Sequence, residues 1–206
     1  MLTLYYAPGT IALASHIALE EAGAEYTAMR LNFAEQDQKK PDYLAINPKA
    51  RVPSLVTERG ILTETPAILI YICQTYPAAA LAPLDDPFEL ARLQSFNSYL
   101  CSTVHVAHAH LRRGTRWADD PAAIENMKSM VPKNVAECFH LMEDEMFAGP
   151  FVMGEHCTVA DFYLFTIARW LEGDNVDIAT LPKIQAHRQR MAERPSVVKV
   201  LAEQLA

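Results

Sequence analysis

Four stretches of this 206-residue chain put polar atoms where chemistry needs them. In TETPAI (residues 63–68), Thr65 suits a helix N-cap and Pro66 the first helical position. The amides that follow form a ready site for a carboxylate, and Glu64 beside them can accept an ammonium group. Together they fit the zwitterionic head of an amino acid; a merely capped helix uses the same residues. In RVPSL (51–55), Pro53 cannot donate to a sheet ladder and belongs at a strand edge or start. It is either an ordinary strand-start proline or a cis proline that turns Val52 outward, free to pair with an extended peptide-like ligand. In YYAPGTIALASH (5–16), a strand runs through Pro8-Gly9 into an apolar helix, which leaves Thr10 and the amides of Ile11 and Ala12 at a helix start. In HVAHAH (105–110), His105 and His108 share a helix face while His110 points elsewhere. The third ligand of a catalytic zinc site is missing, so no metal is expected; His108 and His110 read as solvated or interface histidines.

The elements that must position these groups follow from periodicity. LTLYY reads as a strand, residues 11–22 as a helix stopped by Gly23, and residues 25–31 as a second strand, parallel to the first across the helical crossover. An irregular stretch (32–50), with a short helical piece around Tyr43, leads to a hairpin turning at Gly60 and a helix over 66–76. The first 76 residues thus form a small mixed sheet with helices packed on it. Residues 77–87, rich in proline, read as a linker. Strand signals largely vanish beyond it, and residues 88–206 read as all-helical, with one long helix over 88–117 and another over 121–146, bent at Pro132. TVAD (158–161) has capping-box form with Asp161 in place of Glu or Gln, and starts the core helix of this half.

Composition narrows the function classes. The net charge of −7 disfavours nucleic acid and anionic lipid as partners. ALAS (12–15) imitates a signal-peptide cleavage site, but the first basic residue is Arg30 and Pro8-Gly9 interrupts the apolar run, so no secretion signal is expected. No apolar stretch approaches the roughly 20 residues of a membrane span. The four cysteines (Cys73, Cys101, Cys138, Cys157) form no C-x-x-C pair, as expected of a reduced, cytoplasmic protein.

YYAPG with SHIALEEAG, DYLAINPKARVPSL, LTETPAILIY and GEHCTVADFYLF occur in one order across nearly the whole chain. In that order they resemble the glutathione transferase family, most closely its bacterial beta-type branch. The resemblance implies an α/β thioredoxin-like N-terminal domain that binds glutathione, an all-α C-terminal domain with the second-substrate pocket, a cis Pro53, and a homodimer. It implies that the backbone of Val52 pairs with the cysteinyl unit and that Glu64 and Thr65 hold the γ-glutamyl head. Arg51 becomes the candidate for the glycine carboxylate; the family lysine often used there falls near Glu35, with Lys39 or Lys40 as the substitutes in reach. His105 aligns with a histidine near the sulfur, whereas the lysine after it in the family is Val106 here. Arg112, Arg113, Trp117 and Trp170 are candidates for the edge of the second-substrate pocket.

The resemblance breaks at the chemistry. The position of the branch's cysteine is Ile11, and no cysteine precedes Cys73, so a mixed disulfide between this helix and glutathione is excluded. Thr10, whose hydroxyl can donate to a thiolate, remains with the amides of Ile11 and Ala12; Tyr6 is a second hydroxyl, more simply read as packed under the sheet. A helix start lowers a thiol pKa. A thiol of pKa about 8.5 is roughly 3% ionised at pH 7; one at about 6.5 is roughly 75% ionised, a stabilisation near 2.7 kcal/mol. The expected activity is conjugation of glutathione to a small hydrophobic electrophile. The alternatives are a glutathione-dependent disulfide or peroxide reductase and a non-catalytic binding protein.

Overall fold

The computed structural model describes residues 1–205. Strand β1 (Leu2–Tyr6) leads into helix α1 (Ala12–Glu21) and then β2 (Tyr26–Arg30), parallel to β1 with Leu2 opposite Tyr26. After a 3₁₀ turn at Asp37–Lys39 and the short α2 (Pro41–Leu44), β3 (Ser54–Thr57) and β4 (Gly60–Thr63) form the hairpin, followed by α3 (Thr65–Thr75). β3 runs antiparallel to β1, with Leu4 opposite Leu55, and the sheet order is β2-β1-β3-β4. This is the expected thioredoxin-like arrangement.

The helical half comprises α4 (Pro87–Tyr99), α5 (His105–Arg113), α6 (Pro121–Ser129), α7 (Val131–Leu141), α8 (Val159–Ala168), α9 (Pro182–Ala192) and α10 (Pro195–Leu205). Two details depart from the expectation. The long helix over 88–117 continues from α4 to α5 only through a π-helical segment, Leu100–Val104, directly before His105. The second long helix breaks at Met130 rather than bending at Pro132, because the proline sits in the first turn of α7, where a missing N–H costs nothing.

α1 and α8 explain how the halves hold together. Residues 12–19 of α1 are all buried, including Ser15 and His16, since the helix lies between the sheet and helices α8 and α10. Every residue of α8 is buried, and its start is the TVAD capping box: Thr158 and Asp161 satisfy each other's backbone amides. Asp161 also accepts from the Val152 amide (2.8 Å) and lies 3.0 Å from His187 Nε2. The proline-rich segment is pinned as well, the Val159 amide donating to the Leu81 carbonyl at 3.0 Å. One apolar cluster runs from Leu4 and Ile17 through Phe162 to Val200. No described helix is long and apolar enough to cross a membrane.

Candidate functional site

Two adjoining depressions, with volumes of about 320 and 140 Å³, form a cleft between the end of β1 with the loop before β3 and the wall made by α5. They share Ile11, Arg51, Val52, His105, Ala109 and Arg116.

At the inner end, β1 stops and Gly9, at φ +71°, makes the turn into α1. The Thr10 hydroxyl closes this turn, donating to the Ala7 carbonyl (2.7 Å) and accepting from the Ala12 amide (3.4 Å). Its proton therefore points at the backbone, not into the cleft as expected. The Ala7 carbonyl also accepts from the Thr10 amide (3.4 Å). The Ile11 amide has no acceptor among the described residues and no acidic side chain sits in the first turn of α1, so the positive end of the helix faces the cleft unneutralised. Tyr6 does not join this group. It is buried in a small second core with Ala12, Tyr43 and Val52, its ring 5.0 Å from that of His16, and it lines neither depression.

The middle of the cleft is set by a loop whose side chains satisfy each other. Asn47 donates to the Arg51 carbonyl (2.7 Å) and to Ser54 Oγ (3.1 Å), and Tyr43 donates to the same carbonyl (2.6 Å). All three side chains are buried, and burial pushes the Tyr43 hydroxyl pKa upward, so it stays a neutral donor. The Val52–Pro53 peptide is cis, and neither the N–H nor the C=O of Val52 bonds to any described residue. Sequence reasoning missed Tyr43, Asn47 and Ser54 as a group; the polar residues bracketing RVPSL were the available signal.

At the outer end, Glu64 rather than Thr65 takes the N-cap position, at φ +73° and without a side-chain cap; Thr65 is the first helical residue. A glutamate in this backbone region is strained, and such strain collects at functional sites. The Thr65 amide has no acceptor among the described residues. Lys49, absent from the sequence-based candidates, ion-pairs with Glu64 and donates to Thr63 Oγ1 (2.6 Å). Lys39 and Lys40 lie elsewhere: neither lines the cleft, and Lys40 pairs with Asp37 at 2.6 Å.

The opposing wall contains His105, whose pKa is lowered to about 4, first by burial and then by the nearby His108, Arg113, Arg116 and Arg51. It is neutral at pH 7. His108 is not a solvated histidine. Its Nδ1 lies 2.8 Å from both carboxylate oxygens of the buried Asp174, and its ring stacks on Trp170 (4.3 Å, 21°). Trp170 donates to the Gly9 carbonyl at 3.2 Å, which ties the wall to the turn before α1. Trp117 lines the outer depression, its ring edge-on to His110. Arg112 lines neither half of the cleft; Arg113 and Arg116 take that place, because Arg112 opens onto an adjacent depression beside Leu111 and Arg169. Among the described residues no three His, Cys, Asp or Glu side chains gather as a metal site would require.

Residues 1–74 match the family model described as Glutathione S-transferase, N-terminal domain, and residues 107–204 the one described as Glutathione S-transferase, C-terminal domain. The chain is 32% identical to Glutathione S-transferase GstA of Escherichia coli O157:H7 over 202 residues, covering 97% of this chain and 96% of the relative. Among solved structures, a glutathione transferase homolog from Sulfitobacter with bound glutathione superposes with a TM-score of 0.96 at 48% identity, covering 100% and 99% of the two chains. A beta-class glutathione S-transferase from Sphingomonas chungbukensis superposes with a TM-score of 0.85 at 34% identity, covering 98% of each.

Proposed function

The chain belongs to the glutathione S-transferase family, and from that premise we propose that it conjugates glutathione, held as a thiolate at the start of α1, to a small electrophile with an apolar body. The observation that carries this reading is the set of unpartnered backbone groups along one cleft: the Ile11 amide, both polar groups of Val52 and the Thr65 amide. These are what an extended γ-glutamyl tripeptide needs. The Val52 N–H and C=O pair with the cysteinyl unit, the Thr65 amide receives the γ-glutamyl carboxylate, and Glu64 accepts its ammonium group in place of Lys49. Arg51 takes the glycine carboxylate.

The sulfur then lies at the Ile11 amide. The Thr10 hydroxyl turns about its Cβ–Oγ bond from the Ala7 carbonyl to the sulfur, and the Thr10 amide keeps that carbonyl satisfied. Neutral His105 donates its ring N–H to the same sulfur. The thiol proton leaves to solvent, the thiolate forms a C–S bond to the electrophilic carbon, and the leaving group departs with its bonding pair. Catalysis is thiolate stabilisation plus proximity, with no bond to the protein.

In this reading residues 1–76 bind glutathione, 77–87 link, and 88–206 supply the wall for the second substrate, with Trp117 and Trp170 as its flat surfaces. The protein works as a homodimer in the cytoplasm and disposes of reactive electrophiles; its four free cysteines support a reducing compartment. Calorimetry with glutathione followed by a chloro-dinitroarene conjugation assay tests the activity. Binding and turnover are expected. Tight binding without turnover would leave a binding protein, and preferred turnover of a mixed glutathione disulfide would make it a reductase. Light scattering reports the dimer.

A further inference from the structure

The chain carries 25 acidic and 18 basic residues, yet its inner depression is lined by three arginines, Arg51, Arg113 and Arg116, and by no carboxylate. All three guanidiniums are exposed at the mouth of the cleft, so what sets the depression apart is that its lining gathers three arginines and no acid. Three other arginines of the helical half do pair with acids: Arg92 with Glu89 at 2.8 Å, Arg188 with Glu172 at 2.6 Å, and Arg194 with Glu21. Around Arg113 and Arg116 the neighbouring charges are other guanidiniums. Burial and then the positive charge of Arg51 lower the pKa of Arg113; burial, Arg113 and Arg51 lower that of Arg116. Like charges crowded without a counter-ion raise the free energy of the empty site and are relieved when an anion enters.

Glutathione does not use all of them. In the reading above, its two carboxylates go to the Thr65 amide and Arg51, and its sulfur to Ile11. Arg113 and Arg116 are left over, on the same wall as Ala109 and the Trp170 ring that stacks on His108. We infer that the second substrate is itself an anion: a flat electrophile lying against Trp170, with a carboxylate between Arg113 and Arg116 and its reactive carbon toward the sulfur. The inference rests on the glutathione reading for the position of the sulfur, but the anion preference of the wall does not depend on it.

Matched probes separate the two claims. 4-Chloro-3-nitrobenzoate and its neutral amide, 4-chloro-3-nitrobenzamide, lose the same chloride to the same thiolate. Each enzymatic kcat/KM is divided by the uncatalysed rate with glutathione. The carboxylate is expected to be preferred by about tenfold or more, and Arg113→Gln with Arg116→Gln to bring the ratio close to one while the glutathione Kd changes less than about twofold. Arg113→Lys should keep part of the preference. In parallel, calorimetry compares 3-nitrobenzoate with 3-nitrobenzamide on the protein without glutathione, which reports the anion site even if no turnover occurs. Equal handling of acid and amide in both measurements overturns the inference. A collapse of glutathione affinity in the double variant also overturns it, by assigning the arginines to glutathione. Failure of glutathione to bind while 3-nitrobenzoate binds and loses affinity in the double variant overturns the transferase reading and upholds the anion site.

Discussion

Thr10 points its hydroxyl proton at the Ala7 carbonyl, so its role at the sulfur depends on one bond rotation that leaves the carbonyl satisfied. Thr10→Ala should raise the apparent thiol pKa seen in the pH dependence of conjugation by about one unit, equivalent to one lost charge-assisted hydrogen bond, and leave glutathione affinity within about twofold. Tyr6→Phe should leave conjugation intact, because the tyrosine is buried outside the cleft. Loss of activity in Tyr6→Phe with normal activity in Thr10→Ala would reverse the assignment. Much of this scale was legible in sequence: Val52, Arg51, Glu64 and Thr65 do line one cleft. Lys49 was not, because its pairing with Glu64 closes across fifteen positions and forms only once the β3–β4 hairpin has folded back. Nor was the partner of His108, since Asp174 sits 66 positions away on a turn after α8.

Among the elements, α8 owes its position to one carboxylate. Asp161 accepts from the Thr158 amide (2.7 Å), the Thr158 hydroxyl (3.0 Å) and the Val152 amide (2.8 Å) with no exposure to solvent. Asp161→Ala leaves these buried donors unpaired and should destabilise the protein by about 3 kcal/mol or more in urea unfolding. A change under about 1 kcal/mol would show that the capping box is not what starts this helix. The box was readable because TVAD is local, as was the hairpin at Gly60. The π-helical segment before His105 was not readable: an apolar pattern reports which faces are buried, and Leu100 and Val104 are buried in either helix type. Its consequence is geometric: the residues that follow it on α5, His105 and Arg113 included, take their bearing toward the cleft from that extra residue in the turn.

For the whole molecule, two histidines set the response to acid. His16 of α1 is fully buried against α10, with Nδ1 3.3 Å from Gln204 Nε2, and its pKa is lowered to about 4, chiefly by burial. His105 is lowered to about 4 by burial and positive neighbours. Both bind a proton more readily in the unfolded chain, near 6.5, so stability is full above about pH 6.5 and is lost as pH falls toward 4. For His16 alone the loss is on the order of 3 kcal/mol at the bottom of that window. Urea midpoints measured from pH 7 to 4 should fall from about pH 6.5; a flat profile down to pH 5 would contradict the burial of neutral histidines. At this scale the two-part architecture was legible from the loss of strand signals after residue 76. The cationic cleft was not, because Arg51 and Arg113 meet only after folding and net charge averages them away. The central proposal remains the noncovalent one: a family member without the branch's cysteine holds glutathione as a thiolate by the amide of Ile11, the hydroxyl of Thr10, the ring N–H of His105 and the dipole of α1. Ultraviolet absorbance of the thiolate in the protein–glutathione complex, titrated with pH, measures it directly. The account predicts a bound-thiol pKa of about 6.5, against about 8.5 in solution; titration of the bound thiol at its solution value would contradict it.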